Sequence, residues 1–391
     1  MRLAIIHDWI FQMRGGEKCL ERVLELYPES EVFCLFRRSD FQHSEALSPT
    51  IRRTRNYVSS LNSVGPLRKF YRFLFPCYPF GMRNLSKQLA QRHEEQPFDA
   101  VLSISHCAAK NIKIPSGLKH LCYCLTPMRY AYDQYDRYFG HLRYEPLIRP
   151  ILRHLRRWDI AGSAGVDRFV AISEFIQRRI QTAYGRNSGL AYPPVETDWL
   201  NQQNPAKPEK RQGFLVVNAL VPYKNTHIII EAFNELGLPL KIVGSGPEIR
   251  RLLRISGPNI TFLEKLKGSD LAHEFKMAEG FVFAAEEDFG MVLVEAQAAG
   301  CPIIAYGAGG AVEIVQPGTG ILFSCLTPEA IVRAVQELIR EKNKGLNSIA
   351  EDRSLASALR FNVEQFDQKI QSELSELLQP EQHYQTAVGM R

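Results

Sequence analysis

Short runs of β-branched and apolar residues recur along the whole chain, each followed by a stretch with helical spacing, and this alternation admits few folds. The runs fall at residues 3–7, 31–35, 100–104, 120–124 and 167–172, and again at 214–218, 240–243, 260–262, 280–283 and 302–306. Strands that alternate with helices pair in parallel, because each crossover helix returns the chain to the same end of the sheet. A chain of 391 residues also exceeds what one hydrophobic core usually serves. Two doubly wound α/β domains are therefore expected, not one large sheet. Tyr192-Pro-Pro-Val-Glu-Thr-Asp-Trp199 and the polar, Pro-containing stretch 201–208 lack periodicity and read as a linker. The expected division is a first domain at 1–200, a second at 201–370 and a polar tail at 371–391.

Composition narrows the class. The N-terminal apolar run is too short and too quickly interrupted by His7 and Asp8 for a secretory signal, and no stretch of about 20 apolar residues is present to span a bilayer. The eight cysteines form no C-x-x-C pair and several lie inside apolar runs, so they are expected as reduced core residues of a cytoplasmic protein. The net charge of +6 is unevenly spread: nine basic residues and no acidic one lie between Arg52 and Arg92. That stretch includes Phe70-Tyr-Arg-Phe-Leu-Phe-Pro-Cys-Tyr-Pro-Phe80. Further on, Leu147, Ile148, Ile151, Leu152, Leu155 and Trp158 read as one helical face, with Arg149, Arg153, Arg156 and Arg157 on the other. Such segments fit an anionic membrane interface, and equally a core helix with a solvated basic face. No nucleic-acid-binding module accompanies the charge, and no nucleic-acid partner is expected.

The densest chemistry lies in Ala284-Ala-Glu-Glu-Asp-Phe-Gly290, where a buried strand runs into an acidic loop and then a helix closed by Gly300 and Pro302. Ligands of open α/β sheets bind beyond the carboxyl ends of strands, which places this loop at a ligand. Glu287 stands in the loop and Glu295 about one turn into the helix, so their carboxylates can be up to about 12 Å apart. Between them the helix start at Phe289 and Gly290 favours phosphate oxygens. The spacing alone also fits a plain capping loop made of Glu286, Glu287 and Asp288. Three weaker features sit at other strand exits. They are Lys224, the Gly244-Ser-Gly246 turn, and the pair Gly15-Gly16 at a helix entrance where the backbone can approach a phosphate. His106 follows the strand at 100–104 and reads either as a substrate or proton-transfer residue or as a capping one.

Glu287, seven intervening residues and Glu295, followed by Ala296, Gly300 and Pro302, resemble the signature of the family 4 retaining glycosyltransferases. Ile304-Ala-Tyr-Gly-Ala-Gly-Gly310, Met13-Arg-Gly-Gly-Glu-Lys18, Cys124-Leu-Thr-Pro-Met-Arg-Tyr130, Ala171-Ile-Ser-Glu-Phe175, Tyr192-Pro-Pro-Val195 and Leu220-Val-Pro-Tyr-Lys224 are similar to bacterial mannosyltransferases of O-antigen and exopolysaccharide synthesis. The resemblance implies a GT-B architecture, two Rossmann-like domains facing across a cleft, with a nucleotide diphosphate sugar as donor, GDP-mannose favoured, and a lipid-linked saccharide as acceptor. It implies that Glu287 serves catalysis, and His106, from its strand exit, is the second catalytic candidate. Glu287 would meet the sugar hydroxyls, Glu295 the ribose, the backbone at Phe289 and Gly290 the sugar, and Lys224 the diphosphate, with Asp288, Gly15, Gly16, Gly244 and Gly246 also on the donor side. No Asp-x-Asp triplet occurs, so neither a metal nor another cofactor is expected. Three positions depart from the pattern: Leu125 where relatives carry His, Ala219 where many carry Arg, and Asn225 where the residue is often basic. A nucleotide-sugar epimerase and a degenerate non-catalytic scaffold are the competing readings. The expected location is the cytoplasm, with peripheral contact on the inner face of the membrane.

Overall fold

The structure, a computed structural model, describes residues 1–132, 145–197, 211–264, 266, 268–343 and 351–379. Among these residues the chain forms two compact units, each with its own parallel sheet and its own apolar core.

The first unit holds seven strands: β1 (Leu3–Ile10), β2 (Glu31–Arg37), β3 (Asn56–Val58), β4 (Ala100–Ser105), β5 (His120–Cys124), β6 (Arg168–Ala171) and β7 (Ser188–Leu190). They pair in the order β3-β2-β1-β4-β5-β6-β7, every ladder parallel. β1 is buried along nearly its whole length, as a strand covered by helices on both faces must be. It runs three residues past the expected 3–7, which brings Asp8 inside the strand. The following helix, Gly15–Leu26, buries Cys19, Leu20, Val23 and Leu24 at helical spacing.

The second unit holds β8 (Phe214–Val217), β9 (Leu240–Val243), β10 (Ile260–Leu263), β11 (Gly280–Phe283), β12 (Ile303–Tyr306) and β13 (Gly320–Phe323). Their order is β10-β9-β8-β11-β12-β13, again all parallel. In each sheet the order reverses once, between β1 and β4 and between β8 and β11. At such a reversal the flanking loops diverge to opposite faces and leave a crevice at the carboxyl ends of the two strands.

The units are not divided at 200 and 370. Ile172–Arg178 belongs to the second unit, together with Tyr192–Phe366, and the chain from Asp367 onward returns to the first. The return is made by the helix Val363–Leu378, which buries Ile370 and Leu374 and pairs Asp367 with Arg22 and Glu373 with Arg168. Residues 371–379 are therefore docked and not a tail; 380–391 lie outside the described residues, as does most of the expected linker.

The helix Glu145–Ser163 buries Leu152, Leu155 and Asp159 and exposes Arg149, Arg153, Arg156 and Arg157. Ile151 falls on the exposed side, because Ile148, Leu152, Leu155 and Asp159 already fill the inward positions at 3.6 residues per turn; the Leu147 side chain lies outside what is described. All eight cysteines are free, six of them buried, while Cys77 and Cys325 are exposed. Burial pushes the thiols of Cys19, Cys34 and Cys301 up to about 12, leaving them inert hydrophobes.

Candidate active site

In the second unit the reversal lies between β8 and β11, and both strands feed it with residues picked out from the sequence. β8 leads through Asn218 to Lys224, and β11 leads into the loop 284–290. Lys224 Nζ lies 2.7 Å from Glu287 Oε1, both side chains being mostly covered. The ammonium also sits 5.0 Å above the Phe283 ring, an apolar floor that keeps the charge near the loop. A cation and a carboxylate are thus fixed side by side at the carboxyl edge of the sheet.

Asn225 explains one departure from the family pattern. It is the one non-glycine residue at positive φ among the described residues, at +52°. A short amide side chain tolerates this left-handed backbone, whereas a long basic one is strained there. Its Nδ2 donates to the Ala284 carbonyl at 2.8 Å, tying the β8 loop to the start of the acidic loop.

The helix Met291–Ala298 begins at Gly290, whose φ is +101°. The opening N–H groups of a helix lack intrahelical acceptors, so an anion is favoured there, although Leu293 N–H is already taken by Gly290 O at 2.9 Å. Glu295 is half-buried within this helix, while Asp288 and Phe289 are buried. Phe289 packs its ring against Tyr192 and Phe361, so any service to a ligand falls to its backbone. Gly244 and Gly246 face the neighbouring loop: a Cβ on either would run into the backbone carbonyl of Asn218 or Leu220. Leu220 N–H donates to Ser245 O at 2.9 Å and Glu248 N–H to Leu220 O at 3.1 Å. Their small size is thus used within the protein, where it holds the loop that carries Lys224.

Sequence reasoning missed what fixes the acidic loop. Gly310 N–H donates to Glu287 O at 2.9 Å, and a Cβ on Gly309 or Gly310 would overlap the carbonyls of Glu287 and Phe289. From another direction the buried Ser173 hydroxyl donates to Asp288 O at 2.6 Å. The buried carboxylate of Glu313 accepts the N–H groups of Glu174 and Phe175 at 2.7 and 2.9 Å, and burial holds its carboxyl above the usual range. The doublet Gly309-Gly310 and the Ile172-Ser-Glu174 run were visible signals.

In the first unit the reversal lies between β1 and β4. Asp8 is fully buried there and accepts four backbone N–H groups, from His106 (2.8 Å), Cys107 (2.9 Å), Ala108 (2.6 Å) and Ala109 (2.9 Å). Four donors offset the cost of burying a carboxylate and wrap the β4 exit around it. Asp8 was also missed; an acid within an apolar strand was its signal. His106 Nδ1 lies 3.2 Å from Asp8 Oδ2, and the ring meets the Trp9 indole edge-on with centroids 4.3 Å apart, its side chain still 25% exposed. The helix start at Gly15 and Gly16 follows β1 beside them. A Cβ on Gly16 would lie 2.9 Å from Leu125 Cδ1 and 3.6 Å from the His7 ring, so the leucine fills the space over the glycine. His7 is held neutral, its pKa lowered to about 4 by burial and then by His106, and its Nδ1–H donates to Ile104 O at 3.1 Å.

Residues 197–353 match the family described as Glycosyl transferases group 1. A GDP-mannose-dependent alpha-(1-6)-phosphatidylinositol monomannoside mannosyltransferase of Mycobacterium tuberculosis is 26% identical over 54% of this chain and 61% of its own length. The O-antigen chain mannosyltransferase C of Escherichia coli is 32% identical over 32% of this chain and 36% of its own. The chain thus spans less than two thirds of the length of the curated relatives it matches. Among solved structures, Anabaena HepE in complex with UDP superposes with a TM-score of 0.68 at 18% identity, covering 96% of this chain and all of that one. At that identity the likeness speaks for the fold. Two parallel-sheet α/β units on a chain that superposes over 96% of its length identify the GT-B fold, and residues 197–353 are a group 1 glycosyltransferase domain.

Proposed function

We propose that the chain transfers mannose from GDP-mannose to a lipid-linked saccharide, with retention at the anomeric carbon. The observation that carries this reading is the Lys224–Glu287 pair at the reversal of the second sheet, beside a helix N-terminus. In the reaction the bond from the mannose anomeric carbon to the diphosphate oxygen breaks. The acceptor hydroxyl bonds that carbon on the same face, and its proton passes to the departing diphosphate. Lys224 and the amides at the start of the helix Met291–Ala298 meet the charge that grows on the diphosphate. Glu287 and the backbone at Phe289 and Gly290 hold the sugar and Glu295 the ribose, while His106, beside Asp8 in the first unit, remains a candidate for proton transfer. No resident metal enters the scheme, because the diphosphate charge is met by these groups. The mannosyltransferase names of the relatives favour transfer over epimerisation, and the intact Lys224–Glu287 pair speaks for activity despite Leu125 and Ala219.

The acceptor's lipid calls for a membrane-facing surface, and the first unit offers one. Phe70, Phe73 and Phe80 are 58%, 67% and 59% exposed within a segment without acidic residues. The helix Glu145–Ser163 presents Arg149, Arg153, Arg156 and Arg157 beside exposed Ile151 and Ile160. Among the described residues no helix is long and apolar enough to cross a membrane. We place the protein on the cytoplasmic face, docked through these groups on anionic lipid.

A thermal-shift panel of nucleotide sugars tests the donor: GDP-mannose should raise the melting temperature, because it binds the folded state. Glu287→Ala should abolish transfer and leave the fold intact, and undiminished turnover in that variant would remove Glu287 from the mechanism. Flotation with vesicles tests the surface. Phe70→Ser/Phe73→Ser should stay behind while the parent protein floats with phosphatidylglycerol vesicles, and equal flotation would overturn the docking surface.

A further inference from the structure

The segment Ile172–Arg178 is distant in sequence from the acidic loop yet belongs to the same unit. The first hydrogen bonds of this segment run to two side chains. Ser173 Oγ accepts from Ile176 N–H at 3.1 Å while donating to Asp288 O at 2.6 Å, and Glu313 takes the N–H groups of Glu174 and Phe175. The helix Glu174–Tyr184 thus begins with three amides satisfied by two side chains, one of which reaches out to the loop. Glu313 stands in the helix Ala311–Ile314, directly after the Gly310 whose N–H holds Glu287 O.

These bonds close a ring. Glu287 O is held by Gly310; three residues on, Glu313 holds the segment that carries Ser173; and Ser173 holds Asp288 O. Two successive carbonyls are therefore gripped from different directions by segments 23 and 115 residues away in sequence. The Glu287 side chain that pairs with Lys224 departs from this doubly gripped peptide. Were the purpose only to start the helix Glu174–Tyr184, a cap would suffice, and the bond from Ser173 to Asp288 would serve no need of that helix.

We propose that Ser173 and Glu313 are positioning residues that fix the backbone of the 287–290 loop, and through it the direction of the Glu287 carboxylate. The inference rests on the glycosyltransferase reading for its consequence, and on the hydrogen bonds alone for the brace. Neither residue touches the donor in this scheme. Their loss should act on what Glu287 holds, the sugar, more than on what Lys224 and Glu295 hold, the nucleotide.

The test uses the full chain with Ser173→Ala, Ser173→Thr and the milder Glu313→Gln. In the ligand-free protein, amide hydrogen exchange over 286–290 should rise about tenfold in Ser173→Ala, as losing one net hydrogen bond implies. Protection in β8, β9 and β11 should stay unchanged. Calorimetry should show GDP-mannose weakened about tenfold, with GDP alone held within about twofold, and Ser173→Thr, which keeps the hydroxyl, should restore both readouts. Glu313→Gln, which keeps one acceptor oxygen, should shift both in the same direction by less. Unchanged exchange in the loop would overturn the brace. So would equal loss of both ligands together with lowered protection across the whole unit, which is the mark of simple destabilisation. If the parent protein binds no nucleotide sugar while the exchange change appears, the glycosyltransferase reading fails and the brace stands.

Discussion

The two strand-order reversals share a topology and are made rigid by different means. Between β1 and β4 a buried carboxylate, Asp8, gathers four backbone N–H groups, with the neutral His7 packed alongside. Between β8 and β11 backbone contacts that only glycine permits, at Gly244, Gly246, Gly309 and Gly310, combine with the brace from Ser173 and Glu313, and the facing ion pair remains partly exposed. The first crevice is held by one buried charge gathering adjacent donors, the second by close glycine contacts joined to a brace from distant segments. A reversal therefore does not dictate how its loops are fixed, and the choice decides how each half responds to mutation and to pH.

Breaking the charged arrangement should have the largest effect. Asp8→Ala leaves four buried N–H groups without their acceptor. Each such group costs about 1–3 kcal/mol, so the first unit should lose about 4 kcal/mol or more even after partial relaxation. Asp8→Asn keeps one acceptor oxygen and should lose about half as much. Urea titration followed by fluorescence measures both; a loss under about 1 kcal/mol for the alanine variant would show that the loop is held by something else. Gly310→Ala, its counterpart in the second unit, should cost about 1–3 kcal/mol as the loop shifts off the new methyl group. Its damage should appear mainly as lost donor binding.

Acid should separate the units next. His7 and His120 are fully buried, and burial lowers both to about 4 from an ordinary 6.5. The unfolded chain takes up their protons near pH 6.5 and the folded one only near 4. Stability is therefore full above 6.5 and falls as the pH drops through that window, by up to about 3 kcal/mol for each group. Glu17, also in the first unit, acts in the opposite sense: burial raises it from 4.5 to about 7, so it favours the fold below 4.5 and this gain fades as the pH rises to 7. Two histidines outweigh one glutamate, and the net loss on going from pH 7 to 4 should be about 3 kcal/mol. In the second unit the described histidines, His227 and His273, are half-buried and exposed. Hydrogen exchange at pH 7 and 4.5 should show the first unit loosening ahead of the second; the reverse order would mean that other groups control acid stability.

Much of this contrast was legible before the structure and some of it was not. Long apolar strands announce themselves, which is why the sequence puts Lys224, Glu287 and His106 at strand exits, whereas the strand order, and with it both reversals, emerges only in the structure. The edge strands Asn56–Val58, Ser188–Leu190 and Gly320–Phe323 are not legible in the sequence, because edge strands need little apolar surface and are made by pairing with a formed neighbour. Apolarity alone puts Ile151 inward, but it does not say which positions a helix can still bury once Leu152, Leu155 and Asp159 are placed. At Gly244 and Gly246 the sequence shows that a Cβ is missing, which points toward a ligand, but not that the Asn218 and Leu220 carbonyls fill its place. Asp8, Ser173 and Glu313 act through backbone groups far away in sequence, and no local pattern encodes such partners.

The smallest effect on the fold should come from the ion pair itself. Lys224 and Glu287 are 12% and 20% exposed, so water still screens them, and pairs of this kind contribute about 0–1 kcal/mol. Lys224→Met keeps an unbranched apolar stem and removes the charge that sits over Phe283, so the denaturation midpoint should barely move. Binding should respond differently, because a diphosphate in the crevice loses its one matched cation on the β8 loop. A loss of about tenfold to a hundredfold in affinity for GDP corresponds to about 1.4–2.8 kcal/mol, several times the cost to the fold. Calorimetry with GDP measures it, and GDP-mannose should weaken by the same factor, since the lysine meets phosphate and not sugar. An unchanged affinity for GDP would leave Lys224 as a partner of Glu287 alone, a charge that orders the loop and does not meet a diphosphate.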